Sequence, residues 1–200
     1  MAIVPAVLVA AALLAVPAAP VPYAPPGADP RGSLASRPVP AGLPGLVELA
    51  VQRLLLADAV AAAKFGGGGP ITDPAREREL LGSVATRSAR IGLAPEAGTR
   101  FFRAQIEAAK AVQRGLHARW RAHPELRPRE RPDLATEVRP RLDLLTPRLL
   151  RLLKQTEPAR ARAGECRTRL ALAGHAAETR DRLDGLHRDA LTLALAPVCP

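Results

Sequence analysis

The stretch LVELAVQRLLLADAVAAAK, residues 46–64, decides the fold class. Leu46, Val47, Leu49, Ala50, Leu54, Ala57, Val60 and Ala61 recur at helical spacing, and no breaker appears before Gly66. A long helix of Ala and Leu follows, and its apolar positions demand a core to face. Two cations interrupt that core face. Arg53 and Lys64 stand about three turns apart at 3.6 residues per turn, so they share one side of the helix. Cations directed inward need an anion to meet, unless they snorkel from the two ends of the stripe.

Working outward, Gly66 to Pro70 ends this helix. No strand precedes that glycine run and no Gly-Lys-Ser/Thr follows it, so it reads as a flexible loop rather than a phosphate cradle. Thr72 or Asp73 offers an N-cap and Pro74 suits a first helical turn, opening a second helix through Leu80, Leu81 and Val84 to about Ile91. Within it Asp73, Arg76, Glu77 and Leu80 fall on one side. A third helix begins at Pro95-Glu96, carries Phe101, Phe102, Ile106, Val112, Leu116 and Trp120, and stops at His123-Pro124. On it Gln105, Ala109 and Gln113 are spaced by four, which sets the Gln113 amide on a largely apolar face where the fold or a ligand must satisfy it.

Residues 124–132 form a charged, Pro-rich connector. Helical spacing resumes at Leu134 and runs through Leu153, with Pro140 and Pro147 set to begin, kink or split it, and Glu157-Pro158 closes the segment. Two shorter helices are expected at about 159–173 and 176–195. The whole reads as an all-α single-domain helical bundle of about six helices.

Ahead of this domain, residues 1–24 read as a signal peptide built on the apolar run Met1 to Ala19, although Lys and Arg are absent from its start. Residues 25–41 read as a Pro-rich flexible leader, and 42–200 as the helical domain. The expected location is secreted or periplasmic, with no stable membrane insertion after the signal is removed. Cys166 and Cys199 are the sole cysteines, and an even pair in an exported chain argues for one disulfide that ties down the C-terminus.

The formal charge of +10 requires an anionic partner to be considered. Nucleic acid is disfavoured, because only 2% of residues are aromatic and base-stacking platforms need more. His117, His123, His175 and His187 show no zinc-ligand spacing with the cysteines, and no Ser-His-Asp or Cys-His order stands out. Two classes remain open: an enzyme for a small anion, or a non-catalytic basic helical secreted protein that binds an acidic partner or polyanion.

Taken in order, R-x10-K from Arg53 to Lys64, D-x-x-R-E-R-x-L-L from Asp73 to Leu81, and Q-I-x-x-A-x-x-x-Q from Gln105 to Gln113 resemble the AroQ chorismate mutases. The run Arg139 to Leu150, the motif L-D-G-L-H-R-D-A-L at Leu183 to Leu191 and the two cysteines resemble the secreted gamma class of that family. The resemblance covers roughly Leu43 to Cys199. It implies a cofactor-free conversion of chorismate to prephenate by a helical homodimer in the shikimate pathway of aromatic amino acid biosynthesis.

The resemblance also implies roles. Arg53 grips one substrate carboxylate, Lys64 and Gln113 reach the ether oxygen, and Arg139 holds the other carboxylate. Asp73 and Glu77 lie near the substrate hydroxyl, while Arg76 completes the charged lining. Ala109 and Lys110 depart from the pattern, standing where relatives often carry a hydroxyl and an acid, and the prolines around Arg139 leave Arg141 as its substitute.

Overall fold

The computed structural model describes residues 38–67 and 69–200, so the expected signal peptide and most of the leader lie outside the described residues. Seven α-helices follow: α1 (Gly42–Lys64), α2 (Pro74–Arg90), α3 (Pro95–Ala122), α4 (Arg139–Gln155), α5 (Glu157–Arg160), α6 (Ala163–Arg180) and α7 (Gly185–Leu195). The described residues contain no strand.

Helix α1 is buried around most of its circumference, with Leu46, Leu49, Ala50, Leu54, Leu56 and Ala61 all inside. A helix apolar on all sides can only be central. Accordingly α3, α4, α6 and α7 all pack against it, and α2 lies across α3 and α4. One polar end of α1 is accommodated by pairing, since buried Glu48 meets Arg180 of α6 and accepts a 3.0 Å bond from Gln52.

The elements that carry charged side chains toward the inside are set by local chemistry. Asp73 caps α2, its carboxylate accepting from the Arg76 N–H at 3.1 Å, and Pro74 fills the first turn where no N–H is needed. Before α4 the chain makes one wider π-type turn, Leu134–Val138. Asp133 caps it by accepting from the N–H groups of Ala135 and Thr136 at 2.8 and 2.7 Å. The Arg139 N–H donates five residues back to Leu134, and Pro140, which has no N–H to place, then begins the regular helix. Pro147 stays inside α4.

The C-terminal segment differs from the sequence expectation. The break lies at Asp181–Leu183, not near residue 174, and Gly174 sits buried within an unbroken α6. Helix α6 ends in a Schellman arrangement: the Leu183 N–H donates to Glu178 at 3.0 Å and the Arg182 N–H to Thr179 at 3.4 Å. Arg182 takes the left-handed conformation there, φ 50°, the one non-glycine residue to do so among those described. Asp184 then caps α7 through the His187 N–H at 3.0 Å. A short helix, α5, also begins at Glu157, where the sequence expectation had closure. Cys166 near the start of α6 is joined to Cys199 beyond α7.

Candidate active site

Between α1, α2, α3 and the start of α4 lies a cleft of two adjoining lobes, about 290 and 150 Å³. Arg53, Lys64, Asp73 and Arg76 line both lobes. Arg139 lines the first, and Glu77 and Gln113 line the second. Every residue singled out for the substrate thus faces one cleft, although they come from four stretches of chain. A larger cavity of about 410 Å³ between α6 and α7 is mostly apolar and has no comparable gathering of cations. Convergent charge, rather than size, marks the site.

Arg53 forms the floor. It is 7% exposed, its guanidinium carbon lies 5.4 Å from the centre of the Phe102 ring, and its Nε has no hydrogen-bond partner among the described residues. Burial pulls its pKa down to about 10, with the charge of Asp143 acting in the opposite sense. It therefore stays protonated at neutral pH, a cation that is only sparingly solvated at the bottom of the cleft.

Lys64 closes one wall at the C-terminus of α1. Its Nζ donates to the carbonyls of Pro70 and Ile71 at 2.7 and 3.3 Å, which ties the glycine loop to the helix end. Burial lowers its pKa, Asp73 and Glu77 raise it, and the nearby charge of Arg139 lowers it. Gln113 donates one Nε2 hydrogen to the Ala109 carbonyl at 3.1 Å and is buried, with Oε1 unpaired. An amide nitrogen carries two hydrogens, so the second remains for a ligand.

The rim is solvated. Asp73, Arg76 and Arg139 are exposed, and Arg76 bonds Glu79 at 2.6 Å, a surface pair that exchanges readily. Gln105, grouped with Gln113 by spacing, turns away instead and donates to the Ala194 carbonyl of α7 at 2.9 Å. Eight residues separate the two, and the helical drift over that interval parts their directions. Arg141 is exposed and lines neither lobe. Two charged lining residues had no role assigned from sequence. Asp143 lies at the mouth of the first lobe, one turn after Arg139. Lys110 lies in the second lobe, and its spacing of three from Gln113 on α3 was the available signal.

Together the lobes present five cations, Arg53, Lys64, Arg76, Lys110 and Arg139, and three carboxylates, Asp73, Glu77 and Asp143. The excess of two positive charges suits a small dianion.

The comparisons with known proteins agree. A secreted chorismate mutase of Mycolicibacterium smegmatis is 34% identical over 154 residues, covering 77% of this chain and 84% of that protein. The chain belongs to the chorismate mutase family. The family model described as chorismate mutase type II matches residues 45–114, a span that contains Arg53, Lys64, Asp73, Arg76, Glu77 and Gln113 but not Arg139. The secreted chorismate mutase of Mycobacterium tuberculosis is 31% identical, covering 77% of this chain and 76% of that one. Among solved structures, chorismate mutase from Burkholderia thailandensis superposes with a TM-score of 0.75 at 43% identity, covering 78% of this chain and 98% of that chain. The enzyme from Burkholderia phymatum gives 0.74 at 35% identity, covering 78% and 94%.

The fold is therefore that of the AroQ mutases, and the chain is a chorismate mutase, an isomerase that converts chorismate to prephenate. Secretion is common to the two curated relatives and holds for this chain. No helix among the described residues is long and apolar enough to cross a membrane.

Proposed function

We propose that the cleft above Arg53 is where chorismate is bound and rearranged, and that the residues lining it divide the task as follows. Arg53 and Arg139 each take one carboxylate, which folds the dianion into its reactive conformer. Lys64 and the free N–H of Gln113 donate to the ether oxygen as the C–O bond breaks. Asp73 and Glu77 accept from the ring hydroxyl, and Arg76 completes the positive lining. A single molecule breaks one C–O bond and forms one C–C bond, so the reaction asks for no nucleophile, proton transfer or cofactor. It asks for conformational restriction and stabilisation of negative charge developing on oxygen.

The observation that carries this reading is Arg53, a guanidinium buried beneath the cleft with an unpaired Nε. A buried charge left in this state costs stability unless a counter-ion arrives. A substrate carboxylate supplies one.

The test is loss of chorismate absorbance on adding purified protein, with Lys64→Ala and Arg53→Ala beside it. Removing a preorganised donor to a developing oxyanion costs about 3–4 kcal/mol of barrier, so Lys64→Ala should lose roughly two to three orders of magnitude in kcat. Near-parental turnover in both variants would move the chemistry elsewhere. A homodimer, implied by the resemblance, belongs to the same proposal and is read from the molar mass in solution. So does the absence of nucleic acid as a partner, read from a binding titration with DNA and RNA at physiological salt.

A further inference from the structure

Lys110 is a cation that the second lobe does not leave free. It lies on α3 one turn before Gln113, with its side chain 8% exposed. Its ammonium donates to both carboxylate oxygens of Glu77, at 3.2 and 3.3 Å, and pairs with Glu107 at 2.6 Å. Glu77 comes from α2 and lines the same lobe. Glu107, nearly half exposed, lines neither lobe.

A half-buried carboxylate is an awkward wall for a cleft that must admit a dianion, because like charges brought together away from water repel strongly. Unpaired, Glu77 would oppose binding. Paired with Lys110 across the α2–α3 contact, it presents a dipole, and its oxygens keep lone pairs to accept from a neutral hydroxyl. The same pair decides the charge of the cleft, since without Lys110 the excess of lining cations over carboxylates falls from two to one.

We propose that Lys110 is a positioning residue for the mutase reaction, which neutralises Glu77 and pins its carboxylate so that an acid can stand in a dianion site without repelling substrate. This rests on the reading of the cleft as the substrate site. The repulsion that Lys110 suppresses acts on ground state and transition state alike, because the substrate is a dianion throughout, so its loss appears in KM and not in kcat.

The experiment is a kinetic cycle on the purified secreted protein at low ionic strength. Lys110→Met should raise KM for chorismate about tenfold or more and change kcat by less than about threefold. In a Glu77→Gln background the same substitution should change KM by less than about twofold, because no bare carboxylate is left behind. A KM for Lys110→Met near the parent's overturns the proposal. So does an equal rise in both backgrounds, which would make Lys110 a direct grip on the substrate. If Lys110→Met alone does not fold, Lys110→Gln takes its place in both backgrounds, with the same two outcomes expected and the same two overturning the proposal. Lys64→Ala runs as a control: turnover retained there removes the site reading itself, whereas turnover lost there with a flat Lys110 cycle removes only the role of Lys110.

Discussion

His187 of α7 places its Nε2 2.8 Å from the carboxylate of Asp58 on α1, a contact that spans 129 residues of sequence. Its Nδ1 lies 2.6 Å from Asp184, which also caps α7 and lies 3.5 Å from Arg119 of α3. The imidazole is fully buried between the two carboxylates. Burial opposes its charge, but the hydrogen bonds and fields of Asp58 and Asp184 outweigh it and raise its pKa above 6.5.

The sign of the pH dependence follows. A raised histidine contributes stability fully present below its unfolded pKa, about 6.5, and lost as pH rises through the higher folded value. For Asp184 burial opposes the charge, yet bonds from His187 and the charges of His187 and Arg119 hold its pKa below 3.8, so its contribution is lost only as pH falls through that lowered value. The melting temperature should therefore be highest on the acid side of neutrality and decline as pH rises beyond about 6.5. In His187→Gln that alkaline decline should flatten, as thermal melts across pH would read. An identical slope in the variant would remove the bridge from the account.

Cys166 and Cys199 stand 33 positions apart, and their bond closes the chain between them into a loop. On the chain-entropy account a loop of this size contributes about 3–4 kcal/mol by restricting the unfolded chain. Reduction should lower the melting temperature by about 10 °C. Mutase activity at 25 °C should survive, because neither cysteine lines the cleft. Loss of turnover in step with reduction, with the helical content intact, would link the staple to the site.

Gln113 donates without titrating, whereas a carboxyl in its place donates only when protonated. Gln113→Glu should shift the optimum of kcat to lower pH and depress turnover at neutral pH. A pH–rate profile unchanged from the parent would refute the contact with the ether oxygen.

Phe102 of α3, fully buried, supplies a ring face to Arg53. Such a contact is worth about 0.5–2 kcal/mol when desolvated. Phe102→Leu keeps an apolar side chain but removes the ring, so kcat/KM should fall severalfold with the helical circular dichroism preserved. Unchanged kcat/KM would mean that α1 alone aims the guanidinium.

Much of this was legible along the chain because helices are local. The capped start of α2 at Asp73, the inward Arg53 and Lys64 at matched phase, and the stop at Gly66 all follow from contacts within a few residues. The end of α6 was misplaced for the same reason. Gly174 is carried inside the helix by packing, while the effective stop signal was the Asp184 cap ten residues later.

The sequence by itself determined an all-helical chain, a cysteine pair and a set of charged residues at suggestive spacing. Tertiary structure alone decided that Gln113 lines the cleft with Arg53 while Gln105 turns to α7, that Lys110 is committed to Glu77, and that His187 joins Asp58. Spacing fixes only the angle of a side chain about its own helix axis. Which neighbour occupies that angle depends on how the helices cross, and that is settled by the burial of α1 among four others.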